Sequence, residues 1–171
     1  ATEDAALHDA ARALLDGRVV AVKGLGGFHL CCDARNEAAV ARLRERKVRR
    51  EKPLALVVRD LAAARTLCAV SAAAERWLLS PEAPILLLPR LANAPVAPNV
   101  APESTQLGVM LPSTPLHHLL LAAVDAPLVA TTRRGNRPAS TRPSMRADGS
   151  HSTRPSPNPD VAAPTPVPAE N

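Results

Sequence analysis

The chain has 171 residues and a mass of 18.0 kDa, which allows one domain with a hydrophobic core plus a tail and argues against two full domains. Its 21 Lys and Arg against 16 Asp and Glu leave a net charge of +5 and an isoelectric point near 9.9, which suits polyanionic ligands such as nucleotides or nucleic acid without choosing between them. Phe28 and Trp77 are the only aromatic residues of the Phe, Trp and Tyr set, which argues against the base-stacking platforms of single-strand binders.

Taken in chain order, the apolar residues from Ala5 to Leu15 recur at helical spacing, and Gly17 follows as a stop signal. Arg18–Lys23 reads as a strand. The glycine-bearing turn Gly24-Leu25-Gly26-Gly27 leads into a second strand, Phe28–Cys32. Asn36 is a good N-cap for a helix over Glu37–Lys47, whose apolar positions lie beside a heavily charged face. Leu54–Val58 reads as a buried strand, followed by helical segments over Leu61–Leu67 and Ser71–Leu79. Ile85–Leu88 and Leu107–Leu111 are further strands, separated by a loop rich in Pro, Ala and Asn over Pro89–Thr105. Thr114-Pro115 supplies an N-cap with proline at the first helical position, opening a helix over Leu116–Val124, and Leu128–Thr131 is a last strand. Strands alternating with helices predict an α/β fold, a sheet covered by helices.

After Thr132 the pattern stops. Residues 133–171 hold eight prolines with many Ser, Thr and Arg, and no Leu, Ile, Phe or Trp, so this tail buries too little apolar surface to offset its ordering entropy and is expected to be disordered. The expected organisation is a domain over residues 1–132 and a tail over residues 133–171. Cys31, Cys32 and Cys68 are odd in number and lack C-x-x-C spacing, which points away from a disulfide framework or zinc site and toward a reducing, cytoplasmic setting. No apolar run reaches the roughly 18–20 residues of a membrane span, so no membrane partner is expected. A start without Met suggests a fragment of a longer polypeptide.

Two segments carry candidate chemistry. Lysine occurs only at Lys23, Lys47 and Lys52, every other fixed cation being arginine, and Lys47 stands in the cluster Arg44, Arg46, Lys47, Arg49, Arg50 and Lys52. Such a cluster at a helix C-terminus is as readily a solvated charged face as a ligand site. As a site, Lys47 and Arg49 would share a phosphate, arginine forking two oxygens and lysine acting as a point charge. The turn from Lys23 to Gly27 lacks both the dinucleotide and the Walker spacings, and taken alone is more simply a tight strand connection, although its glycines allow backbone N–H groups to approach an anion. His29 within a strand is more often a packed histidine than a catalytic one, and Cys31 and Cys32 read as small buried hydrophobes. The adjacent His117 and His118 cannot share one helix face, which disfavours a two-histidine metal site, and no metal ligands are assigned.

Together these segments resemble one family. The run VVAVKGLGGFHLCCDARNEAAVARLRERKVRREKPLALVVRDL (residues 19–61), then SPEAPILLL and LGVMLPSTPLHHLLLAA, resembles the YrdC-like domain of HypF carbamoyltransferases in order and spacing over roughly residues 5–132. The resemblance implies an open, twisted mixed sheet flanked by helices. It also implies an ATP-dependent step, with magnesium, that turns carbamate derived from carbamoyl phosphate into carbamoyl-adenylate for [NiFe] hydrogenase maturation, the acceptor in full-length members being the partner protein HypE. By the same resemblance Lys47 and Arg49 take the catalytic role and bind nucleotide with Thr114, Thr131 and Thr132, while Lys23, Gly26, Gly27 and His29 line the carbamoyl end. Threonylcarbamoyl-adenylate synthases carry Pro-Thr-x-Thr-x-Tyr-Gly-Leu where this chain has Lys23 to Leu30, so threonylcarbamoyl-adenylate synthesis for tRNA modification is the second reading. A non-catalytic module binding double-stranded RNA through the basic groove is the third.

The chain departs from the family at Arg50, where proline is common, at Ala83, where arginine is common, and at Ser113, where tyrosine is common. The family's Thr-Ser-Gly-Asn motif is replaced by Thr131-Thr132-Arg133-Arg134-Gly135-Asn136, and the proline-rich tail stands where the domain would be completed. A frameshift or truncation is the expectation, which leaves open whether the domain is active.

Overall fold

The computed structural model describes residues 3–47 and 52–132. Helix α1 (Glu3–Leu15) stops where Gly17 predicts, because Gly17 adopts φ +73° and lets its own N–H and that of Arg18 turn back onto the carbonyls of Leu14 and Ala13 at 2.9 and 2.8 Å. Strands β1 (Val20–Gly24) and β2 (Gly27–Asp33) form an antiparallel hairpin running from the Val20–Cys31 pair to the Gly24–Gly27 pair. Helix α2 (Glu37–Lys47) starts at the predicted cap, Asn36 Oδ1 accepting the Ala39 N–H at 3.0 Å. Strand β3 (Ala55–Val57) leads to α3 (Leu61–Leu67) and α4 (Ala72–Leu78), capped by the side chains of Asp60 and Ser71. Strand β4 (Leu86–Pro89), a 3-10 turn over Pro98–Val100, strand β5 (Gln106–Met110), helix α5 (Pro115–Val124) and strand β6 (Leu128–Thr132) follow.

The six strands form one mixed sheet in the order β1-β2-β6-β3-β5-β4. Only the β3–β5 pair is parallel. The last described strand lies between β2 and β3, so strands distant in sequence meet at the centre of the sheet. Pro89 sits in β4, an edge strand, where a missing N–H costs no ladder bond.

Each central strand feeds two cores because successive side chains leave opposite faces. Leu56, Val58 and Val129 pack with Val40 and Leu43 of α2, Leu67 of α3 and Leu78 of α4. Val57, Leu128 and Ala130 pack on the other face with Leu14 of α1 and Leu120, Leu121 and Val124 of α5. The result is three layers, helix–sheet–helix, as the alternating pattern predicts. Among the described residues no helix is long and apolar enough to cross a membrane. The expected tail over residues 133–171 lies outside the described residues.

Candidate functional site

The sheet order joins residues that the sequence keeps far apart. Lys47, the last residue of α2, donates from Nζ to Thr131 Oγ1 at 2.9 Å and to the carbonyl of Thr132. Thr132 is paired across the ladder with His29 of β2, and Thr131 with Leu30. Lys47, Thr131, Thr132 and the backbone of His29 thus meet where β6 ends, Thr131 turning its side chain to the α2 face and His29 its ring to His117 of α5. Arg49 lies outside the described residues.

The hairpin turn continues from His29. Gly27 takes φ +140°, a conformation that side chains resist, and a Cβ at Gly26 or Gly27 would meet nothing within 4 Å. The space over this part of the turn is open. Lys23 sits with Nζ 5.1 Å from the centroid of the Phe28 ring, its ladder partner, so its charge is held on the hairpin by a cation–π contact.

A second group of polar residues meets His29 from α5. Thr114 caps that helix, Oγ1 accepting the His117 N–H at 3.3 Å and lying 2.5 Å from His117 Nδ1. His117 is 4% exposed, and its ring lies with its centroid 5.4 Å from that of His29. Burial, and then the nearby His29 and His118, hold His117 below the usual histidine range. His118 points the other way and is exposed, as adjacent helix positions require. It lines, with Leu25, Arg59, Ser80, Pro112 and Thr114, an open cleft of about 690 Å³. Arg59 is bound there to Asp125 at 2.6 Å and Asp60 at 3.0 Å. Of the described residues to which the resemblance gives a site role, Thr114 lines this cleft, beside Ala83 and Ser113, two positions where the chain departs from the family.

Arg44 has a role that composition did not reveal. It is 8% exposed, and its guanidinium donates to the carbonyls of Asn99 at 2.6 Å, Lys52 at 3.1 Å and Val100 at 3.0 Å. Within the basic cluster it is a structural clamp between α2 and the 3-10 turn, neither a solvated charge nor a ligand group. Cys31, Cys32 and Cys68 are buried free thiols, pushed by desolvation to about 12, about 12 and about 11, which makes them poor nucleophiles. Among the described residues no three His, Cys, Asp or Glu side chains cluster to hold a metal ion.

A family model for Sua5, YciO and YrdC proteins, described as "Telomere recombination", matches residues 12–151. The chain belongs to the Sua5/YciO/YrdC family. Within this family it is similar to the carbamoyltransferase HypF of Rhodobacter capsulatus, 53% identical over 123 residues that make up 72% of this chain and 16% of that protein. The full-length HypF solved in its phosphate- and nucleotide-bound form shares 43% identity at a TM-score of 0.73, over 77% of this chain and 17% of that one. The chain thus spans about a sixth of these relatives. P. abyssi Sua5 complexed with L-threonine, at 21% identity, a TM-score of 0.67 and coverage of 75% of this chain and 38% of that one, shares the fold. The YrdC-like mixed sheet expected from the sequence is the fold observed.

Proposed function

We propose that this YrdC-like domain binds ATP and converts carbamate to carbamoyl-adenylate. A carbamate oxygen bonds to the α-phosphorus, the bond from that phosphorus to the α–β bridging oxygen breaks, and pyrophosphate leaves. Attack by one anion on another needs charge screened and geometry held more than it needs covalent help. The observation that carries this reading is the Lys47 ammonium fixed on Thr131 and Thr132 at the end of β6, the strand paired with β2 of the open glycine hairpin. A cation there would meet the phosphates, and the turn with Lys23, Gly26, Gly27 and His29 would receive the carbamoyl end. Arg49, two residues after Lys47, would add a second cation, and Thr114 would stand on the nucleotide side.

Similarity to carbamoyltransferases, and to a HypF solved with phosphate and nucleotide, supports the same choice. Magnesium would arrive with the triphosphate and be held mainly by phosphate oxygens. Release of carbamate from carbamoyl phosphate, and delivery to a HypE-like acceptor in hydrogenase maturation, would belong to the full-length protein.

The test supplies ATP, magnesium and ammonium carbamate and reads pyrophosphate. Carbamate-dependent release is expected. Release that needs L-threonine with bicarbonate instead would favour threonylcarbamoyl-adenylate synthesis. Double-stranded RNA binding with a steep salt slope and no turnover would favour the RNA module. Lys47→Ala should weaken ATP binding on the order of 10–100-fold in calorimetry, the loss expected for a hydrogen-bonded charge, with the circular dichroism spectrum retained. Unchanged affinity would remove Lys47 from the site.

A further inference from the structure

His29 Nδ1 and His117 Nε2 are both buried without a hydrogen-bond partner, and they belong to rings in contact with each other. The ring centroids are 5.4 Å apart with 40° between the planes. Two imidazoles joined nitrogen to nitrogen at an ordinary hydrogen-bond length of about 2.9 Å have centroids roughly 5 Å apart. The observed separation is thus close to that of a nitrogen-to-nitrogen pair, and pairing the two orphaned nitrogens removes two unsatisfied buried atoms at once.

Thr114 bears on which ring donates. Its Oγ1 already accepts the backbone N–H of His117, so the hydroxyl proton is free to be given to His117 Nδ1, 2.5 Å away. With Nδ1 accepting, a neutral His117 carries its proton on Nε2. Burial and the two neighbouring histidines favour that neutral form.

We propose that His117 is a positioning residue whose Nε2–H donates to Nδ1 of His29, fixing His29 as the tautomer that carries its proton on Nε2. That edge of His29 faces the hairpin: a Cβ placed on Gly24 would lie 3.1 Å from His29 Cε1 and 3.3 Å from Nε2. Glycine at this position keeps the edge uncrowded. His29 then presents a directed N–H donor to a carbonyl or carboxylate oxygen held by the turn, a role that rests on the carbamate reading above. The chain Thr114–His117–His29 thus ties the start of α5 to the polarity of the hairpin pocket.

The decisive measurement is the tautomer, which needs neither nucleotide nor carbamate. In protein labelled with ¹⁵N-histidine, long-range proton–nitrogen correlation should show Nδ1 unprotonated and Nε2 protonated in both His29 and His117. A proton on Nδ1 of either ring overturns the proposal. His117→Ala should turn His29 into a tautomer mixture, and His117→Gln, whose amide N–H reaches toward the same nitrogen, should restore the single form. An unchanged His29 spectrum in folded His117→Ala also overturns it, and the native spectrum decides the matter if that variant does not fold. In the pyrophosphate assay His117→Ala should raise KM for carbamate about tenfold or more, with kcat less affected. An unaltered KM would refute the link to the pocket. Native protein that shows the expected tautomers without carbamate-dependent pyrophosphate would refute the proposed function and leave the relay standing.

Discussion

Arg44 and Lys47 are three positions apart on one helix and do opposite things. Arg44 points inward and satisfies three backbone carbonyls, whereas Lys47 reaches β6 from the helix end. Removing the Arg44 side chain would take its donors from the Asn99 and Val100 carbonyls, of which Val100 keeps the Leu54 N–H at 2.9 Å, and open a void beneath the 3-10 turn. Arg44→Ala should cost about 2–4 kcal/mol in urea unfolding, and Arg44→Lys should recover little because a point charge cannot fork three acceptors. A loss under half a kilocalorie would deny the clamp. The same residue shows the limit of reading charge from composition: a run of cations predicts a basic surface, but only contacts reveal that one member is spent inside.

Among elements, the end of α1 and the start of α2 are coupled at Gly17. A Cβ at Gly17 would fall 2.6 Å from Nδ2 of Asn36, the residue whose Oδ1 caps α2, and Arg42 of α2 donates to the Gly17 carbonyl. Gly17→Ala should therefore cost about 1–2 kcal/mol, part from the left-handed backbone and part from displacing the cap. Its effect should be smaller in an Asn36→Ala background. Strict additivity in a double-mutant cycle measured by denaturation would contradict the coupling. Both residues were legible as separate stop and start signals, and the helix and strand positions were largely readable for the same reason: caps, glycine stops and apolar periodicity are local. That Gly17 and Asn36 touch was not legible, since no local rule relates them.

Across the whole molecule, stability should depend on pH through groups buried on both faces of the sheet. Cys32 and Cys68 belong to one core and Cys31 to the other, and their folded ionisation is displaced from 9.0 up to about 11–12. Between pH 9 and 12 the unfolded thiols lose protons that the folded thiols keep, so their contribution is full below pH 9 and is lost as pH rises through that window. His117 acts at the other end: its depressed folded pKa means the unfolded imidazole protonates first as pH falls below 6.5, and stability declines there. Melting temperature should fall on both sides of a neutral plateau. Thiol reagents at pH 8 should label the three cysteines only as fast as the chain opens, and immediate labelling of the folded protein would contradict their burial.

The sequence by itself determined the succession of helices and strands, the hairpin, the caps at Asn36 and Thr114, and the family motifs, because each depends on residues within one or two turns of one another. Tertiary structure alone decided the placement of β6 between β2 and β3. That choice brings Lys47 to Thr131 across 84 positions, while the packing of α5 brings His117 against His29. Periodicity states which face of a strand is buried, but not which strand lies beside it. Neighbours are selected by the packing of both apolar faces at once, a property of the assembled sheet rather than of any segment.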